Sequence, residues 1–153
     1  MRHVVSRPKY LRGDLSLPGD KSITHRALML NTIAGGEAEI SGASLGEDAV
    51  STVRCLKQLG VAIEQRSSSG SFLVHSTENQ GLNEPVDVLN AGNSATTMRL
   101  LAGLLVSQPF SSVMTGDESL RSRPMDRIII PLRLMGATIS GRKGGGFPPL
   151  AFS

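Results

Sequence analysis

The chain has 153 residues, 39% of them apolar and 19% charged, with 16 Lys and Arg against 13 Asp and Glu. A chain of this length buries roughly 68–70% of its unfolded surface, which is enough for a real core and excludes intrinsic disorder. The longest apolar run, 100–106, is far shorter than the about 18 residues of a membrane span, the positive charges form no contiguous run, and one Tyr, four Phe and no Trp leave no platform for stacked bases. Membrane and nucleic-acid partners are set aside on these grounds.

Periodicity predicts alternating short strands and helices, an α/β chain. Asp14 to Leu17 alternates weakly and stops at Pro18-Gly19. A helix follows whose apolar face is Ile23, Ala27, Leu28, Leu30 and Ile33-Ala34, with Ser22 as N-cap and Gly35-Gly36 as the stop. Glu37 to Ser41 is a strand, and Asp48 to Leu59 a helix with Ala49, Val53, Leu56 and Leu59 inward and Gly60 at its end. Val61 to Arg66 and Ser71 to His75 pair across the loop Ser67-Ser68-Ser69-Gly70. The order then restarts: strand Val86 to Leu89, helix Ser94 to Val106, strand Ser111 to Thr115, and helix Pro124 to Met135 with Pro in its first turn. Strand Ala137 to Gly141, the turn Gly144-Gly145-Gly146 and a last strand around Leu150 complete it.

Each half reads β-α-β-α-β-β. Leu56 and Leu132, Leu59 and Met135, Gly60 and Gly136, and Ile63 and Ile139 correspond at a constant offset, which two copies of one unit explain, 1–81 and 82–153.

Three segments carry chemistry. In Pro18-Gly19-Asp20-Lys21-Ser22-Ile23-Thr24-His25-Arg26, a strand ends and a helix opens at a Lys-Ser pair. Free N–H groups and the helix dipole attract an anion, Lys21 adds a point charge, Ser22 a hydroxyl and Arg26 a bidentate donor on the same face. Asp20 stands where a P-loop needs Gly, so this is not that loop, and a capped helix with two solvated cations is the competing reading. In Leu89-Asn90-Ala91-Gly92-Asn93-Ser94-Ala95-Thr96-Thr97-Met98-Arg99 the same architecture recurs, which suggests two anion sites facing one cleft. In Gly116-Asp117-Glu118-Ser119-Leu120-Arg121-Ser122-Arg123-Pro124-Met125-Asp126-Arg127, three arginines precede or open a helix, unless the segment is a solvated loop.

These three segments, in this order and spacing, resemble the EPSP synthase (3-phosphoshikimate 1-carboxyvinyltransferase) family, and specifically its N-terminal part; the likeness runs through nearly the whole chain. The related enolpyruvyl transferase of cell-wall synthesis typically has Lys-Asn where this chain has Lys21-Ser22. The resemblance implies the inside-out α/β barrel of enolpyruvyl transferases, here truncated after two of three repeats, with the third unit and a second domain absent and the first strand leading from that other domain. It implies transfer of the enolpyruvyl group from phosphoenolpyruvate to the 5-hydroxyl of shikimate 3-phosphate, with protonation at C3, release of phosphate and no metal or other cofactor. Lys21, Ser22 and Arg26 match positions that bind shikimate 3-phosphate; Lys21, Asn93, Ala95 and Arg123 match the phosphoenolpyruvate pocket; Arg99 and Arg127 give electrostatic support. No catalytic residue is assigned within the chain, since the family's acid–base carboxylates would lie beyond Ser153. Ala95 stands where glyphosate-sensitive members have Gly, which implies tolerance, because a methyl group intrudes on the longer inhibitor.

The expected protein is therefore one wall of a shikimate-pathway active site, inactive alone, with the C-terminal remainder as its partner. A non-catalytic phosphometabolite-binding module, or one half of a split assembly, is the alternative. His25 is expected at the solvent and Cys55 in the core; Glu47 and Asp48 are read as dipole-favourable residues opening a helix. A single Cys rules out an internal disulfide or a Cys-rich zinc site, and Arg7 and Lys9 interrupt any signal-peptide core, so the compartment is taken as the cytoplasm. An exposed apolar surface is expected where a third unit would pack, with self-association as its consequence.

Overall fold

A computed structural model describes residues 3–67, 70–76 and 81–153. Its elements are α1 (Lys21–Ala34), β1 (Gly36–Ile40), α2 (Glu47–Gln58), β2 (Ala62–Ser67), β3 (Ser71–Ser76), β4 (Leu89–Asn90), α3 (Ala95–Leu105), β5 (Ser112–Thr115), α4 (Glu118–Arg121), α5 (Asp126–Leu134), β6 (Ile139–Arg142) and β7 (Phe147–Phe152). Ser68 and Ser69 of the expected loop tip lie outside the described residues.

Two sheets form, in the orders β1-β3-β2 and β4-β5-β7-β6. The hairpin partner is central in each, because β3 and β7 carry the most buried apolar side chains of their sheets: Phe72, Leu73 and Val74 in one, Leu150 and Phe152 in the other. The pairing repeats as well as the order. Gly36 faces Ser76 in the first sheet, and Ser112 faces Phe152, the positions 76 residues further on, in the second. The helices α1, α2 and α3 pack on one another and on the inner sheet faces. One apolar cluster runs through both halves, from Leu28, Leu56 and Val74 to Met98, Leu101 and Leu150. Among the described residues neither sheet closes into a barrel.

Several boundaries depart from the sequence expectations. Residues 14–17 form no strand. In the second half β4 pairs in parallel with β5, Leu89 opposite Met114, whereas among the described residues the matching edge of β1 carries no strand. Leu15 and Leu17 are 84% and 77% exposed, and a four-residue segment with neither a ladder nor a buried face has nothing to hold it extended. The expected strand 86–89 contracts to Leu89–Asn90, because Val86 is fully exposed and only the last residues reach β5. Pro124 precedes α5 instead of sitting in its first turn, since residues 118–121 form the separate helix α4.

Helix α1 is also rotated from its expected face. It buries Thr24, His25, Leu28, Met29 and Thr32, while Ile23, Leu30 and Ile33 stand 69%, 60% and 57% exposed. An apolar-periodicity reading counts Thr as polar, yet these hydroxyls satisfy themselves within the helix: Thr24 Oγ1 donates to the Asp20 carbonyl at 2.8 Å and Thr32 Oγ1 to the Leu28 carbonyl at 2.9 Å. Their burial therefore costs little.

Candidate functional site

The first turns of α1, α2 and α3 meet. Ser22 does not cap α1; Asp20 does, its carboxylate accepting from the Ile23 N–H at 2.7 Å. A carboxylate is the stronger acceptor for a charged helix end, and Ser22 is displaced into the first turn. One N–H of the expected anion site is thereby occupied, and those of Lys21 and Ser22 remain at the open end. Gly19 is required just before it, because a Cβ there would run into the Gly42 carbonyl oxygen.

Lys21, Ser22 and Arg26 are all exposed on this first stretch of α1, and Arg26 Nη1 donates to the Ser22 carbonyl at 3.1 Å. The Lys21 ammonium donates to Asp48 Oδ2, on the first turn of α2, at 2.7 Å. That hydrogen bond holds the Asp48 carboxyl below the ordinary carboxylate range; partial burial opposes the shift, and the Lys21 charge and the Ser94 hydroxyl reinforce it. With the Lys21 side chain half exposed, the pair adds at most about 1 kcal/mol to stability. Its consequence is local: the cation of the anion site is tied to a partner that an incoming phosphate must compete with.

Ser94 caps α3, accepting from the Thr97 N–H at 3.1 Å. Beside it, Asn93 and Arg123 come together across 30 residues of sequence, Arg123 Nη2 donating to Asn93 Oδ1 at 2.8 Å and to Ser119 Oγ at 3.1 Å. Asp117 completes this cluster. One of its oxygens caps α4 through the Leu120 N–H and the other accepts from Asn93 Nδ2, each at 2.7 Å. The Asn93 hydrogen bond, seconded by the Leu120 N–H, lowers the Asp117 pKa. The loops that carry these residues touch at Gly116, where a Cβ would collide with the Gly92 carbonyl and Leu120.

Ala95 is the first residue of α3 and half-buried. Arg99 lies one turn further in, its Nε buried without a hydrogen-bond partner. Arg127 is exposed on α5 and makes no hydrogen bond or ion pair with the other site residues among those described. The structure thus joins Lys21 to Asp48 and Asn93 to Arg123, and leaves Arg127 apart.

The expectation that His25 faces solvent is overturned. Its ring is wholly buried, with Nδ1 2.6 Å from Thr52 Oγ1 of α2. Thr52 Oγ1 lies 2.8 Å from Thr97 Oγ1 of α3, and Thr97 Oγ1 lies 2.8 Å from Ser94 Oγ. Nothing in the apolar pattern marks His25 or the two threonines, and Asp48 is 27 residues from Lys21. Asp117 was the readable exception, since Asp ahead of Glu-Ser-Leu is a cap signature. Cys55 is buried as expected, and burial pushes its thiol up to about 11, far from a reactive thiolate.

Burial lowers the His25 pKa; the charges of Lys21 and Arg26 act the same way, and that of Asp48 opposes. The unfolded chain therefore takes up this proton first. The stabilising effect of a neutral His25 is complete above the unfolded value of 6.5 and is lost as pH falls from there through the folded value. The urea midpoint should decline as pH falls below 6.5, and His25→Asn should flatten that decline. An equally steep decline in the Asn variant would assign it to another group.

The comparisons with known proteins fall on this architecture. The sequence profile of EPSP synthase (3-phosphoshikimate 1-carboxyvinyltransferase) matches residues 5–153. The chain belongs to the EPSP synthase family. The 3-phosphoshikimate 1-carboxyvinyltransferase of Herpetosiphon aurantiacus is 53% identical over 150 residues, covering 98% of this chain and 34% of that protein. The enzyme of the same name from Chloroflexus aurantiacus is 54% identical over 147 residues, covering 96% and 34%. Among solved structures, EPSP synthase from Acinetobacter baumannii superposes with a TM-score of 0.85 at 45% identity, covering 92% of this chain and 32% of that one. The fold is therefore part of the EPSP synthase fold, and the chain spans about a third of the length of the curated relatives it matches.

Proposed function

We propose that this chain supplies one wall of a site that transfers the enolpyruvyl group of phosphoenolpyruvate to the 5-hydroxyl of shikimate 3-phosphate, releasing phosphate. The observation that carries the reading is the meeting of three helix N-termini with Lys21, Arg26 and Arg123 around them. The two substrates bring two phosphates and two carboxylates together. Like charges at such distances repel by several kcal/mol at an effective dielectric near 20, so cations and oriented N–H dipoles have to surround them.

Lys21, Ser22 and Arg26 take shikimate 3-phosphate. Lys21 also reaches phosphoenolpyruvate, with Asn93, Ala95 and Arg123 forming the rest of its pocket. The Asn93–Arg123 hydrogen bond fixes the guanidinium fork before ligand arrives, which lowers the ordering cost of binding. Arg99 and Arg127 contribute charge. The two carboxylates beside the cations, Asp48 and Asp117, both have lowered pKa values and stay ionised at neutral pH, so neither suits the proton donation to C3. We assign the acid–base step to no residue of this chain, and it needs no metal or cofactor. In this reading 1–81 and 82–153 are two repeats of one unit, the remainder of the enzyme is the partner, the compartment is the cytoplasm, and Ala95 confers glyphosate tolerance on the complete enzyme.

The test is a titration of the isotope-labelled chain with shikimate 3-phosphate and, separately, with shikimate. The phosphorylated ligand should perturb the amides of Lys21, Ser22 and Arg26, and shikimate should leave them unmoved. Equal effects of the two ligands, or perturbations confined to other residues, would refute the assignment.

A further inference from the structure

The buried contacts among α1, α2 and α3 restrict where protons sit. Thr52, Thr97 and Ser94 own one O–H each, and a carbonyl oxygen only accepts. Thr97 Oγ1 lies 3.2 Å from the Asp48 carbonyl and 2.8 Å from Ser94 Oγ, and its single proton serves that side. In the 2.8 Å contact with Thr52, Thr97 then accepts, which commits the Thr52 proton. Thr52 has none left for His25, so in the 2.6 Å contact the imidazole Nδ1–H donates. His25 Nε2 is then the bare lone pair, and it is the ring atom that is buried with no partner among the described residues. The opposite tautomer either sets two hydroxyl oxygens 2.8 Å apart with no proton between them or strips the Asp48 carbonyl of its hydroxyl donor. It also buries an N–H with no acceptor, a costly arrangement. Protonation of both nitrogens buries that N–H together with a charge.

We propose that His25 is a positioning residue: held as the neutral Nδ1–H tautomer, it starts a one-directional line of hydrogen bonds through Thr52 and Thr97 that locks the first turns of α2 and α3 against α1 and sets the Asp48 carboxylate where it holds Lys21. The line begins on α1 and returns to it, because Asp48 grips Lys21 four residues before His25. The last link is the donation of Thr97 Oγ1 to the Asp48 carbonyl at 3.2 Å, and the Ser94 hydroxyl adds to the lowered pKa of the Asp48 carboxyl. The contacts from His25 through Thr52 and Thr97 to Ser94 are 2.6, 2.8 and 2.8 Å and buried, and directed chains of this kind reinforce one another in a low-dielectric interior. The effect on substrate rests on the reading of Lys21 as a phosphate ligand; the tautomer and the hold on Asp48 do not.

The test uses the full chain labelled with nitrogen-15 in histidine and carbon-13 in aspartate. At neutral pH the His25 Nδ1 should resonate in the protonated range and Nε2 in the unprotonated range; the reverse, or two protonated nitrogens, overturns the proposal. His25→Asn places an amide N–H where Nδ1–H was, His25→Gln places it where Nε2 was, and Thr52→Val breaks the next link without changing shape. The Asp48 carboxyl should titrate as in the parent in His25→Asn, and move up toward the ordinary Asp value in His25→Gln and Thr52→Val. Shikimate 3-phosphate affinity should rise a few-fold in the latter two, because Lys21 is released to the phosphate, and hold in the first. If His25→Gln does not fold, Thr52→Val carries the comparison. Identical Asp48 titrations in all variants overturn the inference. An Asp48 response as expected, in a chain that binds no shikimate 3-phosphate, upholds the proton line and removes the substrate reading instead.

Discussion

Replacing Lys21 with Met is expected to weaken shikimate 3-phosphate binding by roughly a hundredfold, more than replacing Arg26. Two effects act at one point. The substitution removes a charge-assisted donor, and it unmasks Asp48, whose carboxylate then faces the incoming phosphate. Arg26 spends one donor on the Ser22 carbonyl and among the described residues is hydrogen-bonded to no carboxylate, so its loss deletes a cation without exposing an anion. The double variant Lys21→Met, Asp48→Asn should recover part of the affinity, and Asp48→Asn alone should bind at least as tightly as the parent. Calorimetric titration of the parent, both single-cation variants, Asp48→Asn and the double variant decides the matter. If the double variant is no better than Lys21→Met, Asp48 is not the competitor.

Leu101→Ala is expected to cost about 2–5 kcal/mol, a large part of the 5–15 kcal/mol that holds a domain of this size together. Leu101 is fully buried on α3, within the cluster that both sheets share. Although the sheets repeat one another, that common core couples them. Urea unfolding should remain a single transition at a lower midpoint, with amides of β3 and β7 losing exchange protection together. A variant that loses only the second sheet while β3 stays protected would make the halves independent domains instead of repeats on one core.

The sequence made most of the element order and the segments bearing Lys21, Asn93 and Arg123 legible, because each rests on a local signal: a period, a Gly stop or a capped turn. It did not reveal what those residues touch. Asp48 was read as favouring a helix dipole, which its position allows, yet its partner is a cation on another helix. His25 was placed at the surface because a titratable ring beside Arg26 resembles a solvated face; the structure buries it against hydroxyls supplied by α2 and α3. The rotation of α1 has the same origin, since Thr24 and Thr32 meet their own hydrogen-bonding needs within the helix and so pass as core residues. Residues 14–17 fail in the opposite sense. They have a strand-like pattern, but pairing is a property of two segments and no pattern in one of them guarantees it.

The Ile23, Leu30 and Ile33 side of α1 is solvent-exposed, and the cations beside it line an open surface. Ion pairs and hydrogen bonds to a transition state weaken in such a wet setting. The most direct measurement is phosphate release by the 153-residue chain, given shikimate 3-phosphate and phosphoenolpyruvate together and each alone, with and without a chain supplying the other two thirds of a relative. Release that requires both substrates and appears only with the added chain is the predicted result, and it should disappear with Lys21→Met. Release from both substrates by the 153-residue chain alone would contradict the account, because the catalytic carboxylates would then lie within it.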